Sequence, residues 1–117
     1  MFKKFKLKKL LKEYGFPYIK VKKSVIKKYR DTTNKNKHLS DSEIEFKINR
    51  EYYSARPDSI NDKRDIVLYG YLTITKDNEN NMIMDIHNSK KNRCGKIDYM
   101  IKDKMNAIYT SIYDCEV

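Results

Sequence analysis

The side chains of this 117-residue sequence that could do chemistry are few. Its two cysteines, Cys94 and Cys115, form neither a Cys-x-x-Cys motif nor a Cys/His cluster at metal-ligand spacing. The basic N-terminus has no apolar stretch of the kind that a signal peptide requires. We therefore expect free, structural thiols in a reducing compartment.

His87, one of two histidines, lies beside Asp85 near the end of a predicted strand. A histidine next to a carboxylate can orient water or bind a divalent metal, as nucleases require. A nuclease also needs a second convergent acid, and the sequence does not place one. Glycines stand only at positions 15, 70 and 95, so a glycine-rich phosphate loop is absent. We predict a protein that is not an enzyme and that binds no cofactor or metal.

Charge points more clearly to a function. Residues 1–37 hold 14 Lys and Arg against two acids, a net charge of +12, whereas residues 38–117 carry −2. AT-rich codons would raise Lys everywhere and do not explain this split. A local basic segment is typical of a contact surface for phosphates or an acidic partner, the alternative being a solvated face. The predicted partner or nucleic-acid contacts are Lys4, Lys8, Lys12, Lys20, Lys22, Lys28, Arg30, Tyr52 and Tyr53.

Tyrosine is the abundant aromatic residue, with ten copies. Tyr69 and Tyr71 alternate along a predicted strand near Lys and Arg, and such pairs resemble a platform on which single-stranded nucleic acid stacks. Tyrosine is equally common in sheet cores and protein interfaces. The RNA-recognition motif of the Lys/Arg-Gly-Phe type is absent, so both interpretations stay open.

Two elements follow directly from local patterns. A helix is predicted over 4–14, followed by a left-handed Gly15 and by Pro17, which cannot continue it. Its apolar stripe consists of Leu7, Leu10, Leu11 and Tyr14. A hairpin is predicted from a strand at 66–75, turn residues at 76–81 and a strand at 82–87.

Three other segments fit both a helix and a strand. β-branched residues favour strands at 18–30 and over 96–117, where two strands would turn at 104–107. The segment 42–53 alternates apolar and charged residues like a half-buried strand, and its alternative is a helix with a capping box from Ser42 to Glu45.

Polar loops are expected at 31–41, 58–65 and 88–95. The predicted fold is α+β and mainly β, a small antiparallel sheet or barrel with a basic N-terminal helix. We expect a single domain over 1–117, divided into a basic helix and first strand at 1–37 and a near-neutral β-rich body at 38–117.

The order of elements over 18–117 resembles the small head–tail joining proteins, also called head-closure or connector proteins, of tailed bacteriophages. The residues that carry this resemblance are Glu51-Tyr52-Tyr53-Ser54-Ala55 before the central strand and the ending Tyr113-Asp114-Cys115-Glu116-Val117. The resemblance implies a small β-barrel that assembles as a ring between portal and tail. This chain differs from that family in its basic N-terminal helix and in lacking Gly- and Trp-rich turns.

The first functional hypothesis is therefore a non-enzymatic assembly protein, a homo-oligomer with portal-type or tail-type neighbours, located in the virion or the host cytoplasm. The alternative is a small basic protein that binds RNA or DNA through its N-terminal segment, in an accessory ribosomal or regulatory role. A membrane partner is not expected, because no apolar run approaches the ~20 residues of a membrane span and helix 4–14 has a thin apolar face.

Overall fold

The computed structural model describes residues 2–32, 34–88 and 94–113. Within these ranges the chain forms four α-helices and a five-stranded sheet, and a 3-10 turn at Asn34–Asn36 joins two of the helices. The elements are α1 (Phe2–Glu13), β1 (Lys20–Val21), α2 (Lys23–Arg30), α3 (Asp41–Ser54), β2 (Arg56–Ile60), β3 (Arg64–Tyr69), β4 (Leu72–Asp77), β5 (Met82–Asn88) and α4 (Tyr99–Tyr113). The predicted α+β class with a small sheet and an N-terminal helix is confirmed, although the helices contain more residues than the strands.

The sheet has the strand order β1-β5-β4-β3-β2. All neighbouring strands are antiparallel except β1 and β5, which run parallel. Because β1 and β2 are the two edges and do not pair with each other, the sheet is open. The small barrel that the phage resemblance implied is therefore not the form this sheet takes.

Helix α3 lies between two apolar clusters. Ile44 and Ile48 pack against the sheet and α2, whereas Phe46 packs against α1 and α4. This two-sided burial explains why the prediction of a strand at 42–53 was wrong. A helix buried on opposite sides needs apolar residues at alternating positions, and that pattern imitates a strand.

The N-terminus of α3 is fixed by a capping box at Ser40 and Glu43. The Glu43 amide donates to the Ser40 Oγ at 3.2 Å, and the Ser40 amide donates to the Glu43 carboxylate at 3.2 Å. Two otherwise unpaired amides are thereby satisfied. The helical alternative weighed from the sequence was right about the type of cap, but it placed the cap two residues too late.

The strand predictions at 18–30 and 96–117 are also wrong. Only Lys20–Val21 of the first segment is extended, and Val25, Ile26 and Tyr29 are buried at helical spacing on α2. Helix α4 occupies most of the second segment, including the predicted turn at 104–107, and residues 114–117 lie outside the described ranges. Tertiary burial outweighs the weak preference of β-branched residues for strands.

The helix predicted at 4–14 is confirmed as α1, and it ends as predicted. The Phe16 amide donates to the Leu11 carbonyl at 2.8 Å and the Gly15 amide to the Lys12 carbonyl at 3.1 Å. With Gly15 at φ +90°, this is a Schellman motif, which requires a left-handed residue after the helix.

The predicted strand at 66–75 is two strands. The chain reverses at Gly70 and Tyr71, so that Tyr69 pairs with Leu72. The β4–β5 hairpin around 78–81 is confirmed. The polar segment 58–65 contains the end of β2 and the start of β3 rather than only a loop, and 31–41 contains the 3-10 turn and the first residue of α3. Of the basic loop at 88–95, residues 89–93 lie outside the described ranges.

Candidate nucleic-acid interface

The predicted lysines of α1 lie on a helix that is docked by its apolar side, with Leu7 and Leu11 buried. The Lys4 ammonium lies 3.4 Å from the Glu45 carboxylate. The Lys8 ammonium lies 5.0 Å from the centre of the Tyr18 ring, within the range of a cation–π contact. Lys12 is exposed in the last turn. Two of these three cations therefore already have a partner within the protein.

Lys20, Lys22 and Lys28 come from different elements, because the strand predicted at 18–30 is mostly helix. Lys20 and Lys22 are exposed at the edge strand β1 and at the start of α2, whereas Lys28 projects from α2. The Lys28 ammonium lies 3.3 Å from the Asp85 carboxylate. Arg30 forms an ion pair with Asp41 and donates to the Leu39 carbonyl, which fastens α2 to the N-terminus of α3.

Tyr52 and Tyr53 are half-buried, and both hydroxyls are used inside the fold. The Tyr52 hydroxyl donates to the Asp65 carboxylate at 2.9 Å, and the Tyr53 hydroxyl donates to the Pro17 carbonyl. Burial raises the pKa of Tyr52, and it raises the pKa of Tyr53 to about 12. These two side chains join α3 to β3 and to the segment after α1.

A shallow, open depression lies elsewhere, where the β3–β4 turn and the end of β5 meet α3, α4 and the segment after α2. We call it the basic groove, and its volume is about 570 Å³. Its lining combines cationic, tyrosine and amide side chains. The cations are Lys35, Lys47, Arg50 and Lys102, the tyrosines are Tyr29, Tyr69 and Tyr71, and the amides are Asn36 and Asn88.

A buried carboxylate lies beneath these cations. The Glu51 carboxylate accepts a 2.5 Å hydrogen bond from the Tyr29 hydroxyl and lies 3.4 Å from Arg50. Burial raises the pKa of Glu51, against the opposing effects of Tyr29 and Arg50. Burial and the proximity of Glu51 also raise the pKa of Tyr29. Among the described residues that line it, the groove thus has one acid against four cations.

Arg50 is held in place while part of its donor capacity is unused. Its Nη1 donates to the Asn106 side chain at 3.0 Å, and its Nη2 lies 3.4 Å from Glu51. Its Nε is buried and has no hydrogen-bond partner among the described residues. Because the Nε is buried, this spare donor lies inside the fold and is not exposed to the groove.

The walls of the groove are fixed by side chains from three segments. The Asn36 side chain donates to the Tyr29 carbonyl and to the Thr32 hydroxyl, both at 3.1 Å, which holds the segment after α2. On the opposite wall the Lys102 ammonium lies 5.4 Å from the Tyr69 ring centre. Cationic and aromatic side chains are therefore adjacent in the basic groove.

Of the groove residues, sequence reasoning singled out Tyr69 and Tyr71 as a stacking platform and Glu51 as part of the stretch that carries the phage resemblance. The structure brings both tyrosines to the groove, but Tyr69 ends β3 and Tyr71 lies in the turn, so they do not share a strand face. The four cations come from segments up to 67 positions apart, and three of them lie in the near-neutral part of the chain. Charge summed along the chain gives no signal for such a convergence.

The histidine and cysteine side chains considered from the sequence do not form an active site or a metal site among the described residues. His87 Nδ1 lies 3.6 Å from Asp85, and both side chains are exposed at β5. Cys94 is exposed, and Cys115 lies outside the described ranges. Among the residues that the structure describes, no group of three or more His, Cys, Asp or Glu could hold a metal ion. The described helices include none long and apolar enough to span a membrane.

Comparisons with protein-family models, with curated proteins and with solved structures give no match for this chain. Its function must therefore follow from the geometry and charge of its surfaces.

Proposed function

We propose that this protein binds nucleic acid, with the basic groove as the contact to the phosphate backbone. The observation that carries the proposal is the convergence of four cations from separate segments on one concave surface that also contains tyrosine. Lysine and arginine side chains beside aromatic rings are the groups with which proteins bind nucleic acid without reading its sequence.

The charge of the groove suits an anionic ligand such as phosphate better than a neutral one. Its excess of cations over the single buried carboxylate leaves positive charge for an incoming anion. Arg50 is fixed by Asn106 and Glu51, and it adds its charge to the groove. The +12 charge of residues 1–37 adds long-range attraction for the same polyanion. The proposed role is binding, with no catalytic step.

Fluorescence anisotropy with labelled oligonucleotides, measured over a series of salt concentrations, tests this proposal. For single strands the logarithm of the association constant should fall with the logarithm of the salt concentration, by about 0.7 for each phosphate contacted. A double variant, Lys47→Glu with Lys102→Glu, should weaken binding at least tenfold, because two phosphate contacts become repulsive.

The matched control is Lys63→Glu with Lys9→Glu, which changes the net charge equally on exposed positions away from the groove. Lys63 precedes β3, and the groove lies at the other end of that strand, about 17–20 Å away for six residues. If both double variants lose affinity equally, or if no oligonucleotide binds in a salt-dependent way, the proposal is wrong.

A second candidate, an assembly protein of the phage connector type, is favoured by one exposed apolar surface. Tyr99 and Met100 at the start of α4 are 61% and 86% exposed, and they border a depression together with Ala55 and Ile97. Exposed apolar patches of this kind are common at protein–protein contacts. The edge strand β2 is a poorer contact, because Pro57 and a register shift beside it hinder strand addition.

Sedimentation velocity tests this second candidate. An assembly protein should form a concentration-dependent oligomer, alone or with neighbouring virion proteins, and Met100→Lys should abolish it. If the protein is a monomer at every concentration and does not bind the neighbouring virion proteins, this candidate function is ruled out.

A further inference from the structure

Resting on the proposed function, we infer that the ligand of the basic groove is a single strand, one of whose bases stacks on Tyr71. The inference concerns which form of nucleic acid binds. It depends on the conformation of the β3–β4 turn, which is fixed by contacts outside the hairpin.

The turn that carries Tyr71 is anchored at Gly70 by a pair of hydrogen bonds. The Gly70 amide donates to the Gly95 carbonyl at 2.9 Å, and the Gly95 amide donates to the Gly70 carbonyl at 2.8 Å. Gly70 has φ +56°, a left-handed conformation that favours glycine. A side chain on Gly95 would bring its Cβ within 2.1 Å of the Leu68 carbonyl oxygen, so the close approach of the two segments requires glycine there.

Tyr71 is therefore an exposed aromatic ring on a fixed support. Its side chain is 58% exposed, and the described residues supply no ring, cation or hydrogen-bond partner for it. Tyr69, in contrast, already has the Lys102 ammonium near its ring. A tyrosine has few rotatable bonds, and on a pinned turn it loses little conformational entropy when a ligand covers it.

A free aromatic face at the rim of a cationic groove selects unpaired bases. Bases in a duplex are covered by their neighbours above and below, so a protein ring reaches them only after unstacking, which costs a few kcal/mol. In a single strand the base faces are accessible, and stacking tolerates any sequence because every base has a π-face. The groove cations can then contact the phosphates that flank the stacked base.

The test compares three probes in the same anisotropy assay: a labelled oligothymidylate, a duplex of equal length, and a strand of equal length in which abasic sites replace the bases. Wild-type protein should prefer the oligothymidylate to both others at one salt concentration. Tyr71→Ala should weaken oligothymidylate binding by about 5- to 150-fold, the loss expected when one base–aromatic stack is removed. Binding of the abasic strand should not change.

Two further variants separate stacking from general damage. Tyr71→Phe keeps the ring and should restore binding to within about threefold of wild type, since the hydroxyl contributes no described contact. Tyr14→Ala removes a comparably exposed tyrosine, 51% exposed at the end of α1, and should have no effect.

The possible failures are distinguishable. If binding depends on salt but duplex, abasic strand and oligothymidylate bind alike, or if Tyr71→Ala has no effect, the inference is wrong and the proposed function stands. If none of the probes binds, both are wrong. If the Tyr71 variant instead disrupts an oligomer, the ring serves a protein contact and the inference is also wrong.

Discussion

The basic groove and helix α1 are both rich in cationic side chains, but they present them in different ways. The lysines of α1 come from one continuous segment on the outside of a docked helix. Lys4 and Lys8 have partners within the protein, as Arg50 and Lys102 of the groove do. The cations of the groove come from separate segments and surround tyrosine rings and a buried carboxylate. The first arrangement spreads charge over a convex surface, and the second concentrates it in a concave one.

The difference matters because the surroundings of a charge set its strength. Exposed charges on a convex surface are screened beyond about 10 Å at 0.1 M salt. Cations gathered around one depression reinforce one another's field, and they raise the local concentration of an anion there. We therefore expect α1 to serve first as a packing element and, at low salt, as a source of electrostatic attraction, and the groove to make the direct contacts.

The packing role of α1 predicts the largest effect. Leu11 is fully buried between α1 and α4, so Leu11→Ala should lower the free energy of unfolding by about 2–5 kcal/mol. Chemical denaturation followed by circular dichroism measures this. Phe5→Ala on the same helix is the control, since Phe5 is 71% exposed and its loss should cost less than about 0.5 kcal/mol. Equal effects would mean that α1 is not docked as described.

Replacing the predicted N-terminal contacts gives the next test of the contrast. A variant that combines Lys8→Gln, Lys12→Gln, Lys20→Gln and Lys22→Gln removes four charges. It should reduce oligonucleotide affinity less than Lys47→Gln with Lys102→Gln, which removes two. The groove variant should also lower the salt slope by about 1.4, the value for two single-strand phosphate contacts. If the N-terminal variant loses more affinity than the groove variant, the nucleic-acid interface lies on the N-terminal segment.

A pH profile tests the buried acid that only the groove contains. Because burial raises the pKa of Glu51, the native protein holds more protons than the unfolded chain between the ordinary and the raised pKa. The extra proton binding by the native state stabilises the fold. This stabilisation is complete below the ordinary glutamate pKa, and it is lost as the pH rises through the raised pKa of Glu51. Glutamine resembles the protonated acid, so wild type should lose stability relative to Glu51→Gln over that interval.

Tyr29→Phe provides the matched variant for that profile. It removes the hydrogen bond that lowers the pKa of Glu51, so the interval should extend to higher pH. Urea unfolding should be measured from about pH 5 to about pH 8, because the interval in which Glu51 changes its charge lies above the ordinary pKa of a glutamate. If the free energy of unfolding changes with pH in the same way for wild type, Glu51→Gln and Tyr29→Phe, Glu51 is not a buried acid with a raised pKa.

Local signals predicted the parts of the fold that depend on neighbouring residues. Gly15 and Pro17 end α1 through a motif that lies within a few residues, and the turn at 78–81 joins two strands directly. Helix α3 could not be assigned in this way, because its alternating Ile44, Phe46 and Ile48 reflect burial on two sides. That environment exists only after the sheet and the other helices have assembled.

The candidate site was predicted only in part for the same physical reason. The basic segment 1–37 is continuous and therefore visible in the sequence, whereas Lys35, Lys47 and Lys102 become neighbours only through the fold. The sequence did indicate Tyr71, because it is one of two closely spaced tyrosines near cationic residues. Its exposure depends on the hydrogen bonds between Gly70 and Gly95, residues 25 positions apart, which no local pattern indicates.

The smallest expected effect concerns Lys28, a predicted contact whose ammonium lies 3.3 Å from the Asp85 carboxylate. Both side chains are about half exposed, so solvent screens the pair, and Lys28→Met should lower the free energy of unfolding by less than about 1 kcal/mol. Oligonucleotide affinity should change by less than about twofold, because the side chain lies outside the groove lining. Asp85→Asn is the matched variant: it frees the lysine without removing it. If freeing Lys28 increases affinity several-fold, α2 belongs to the interface, and the contrast between dispersed and converged charge has to include it.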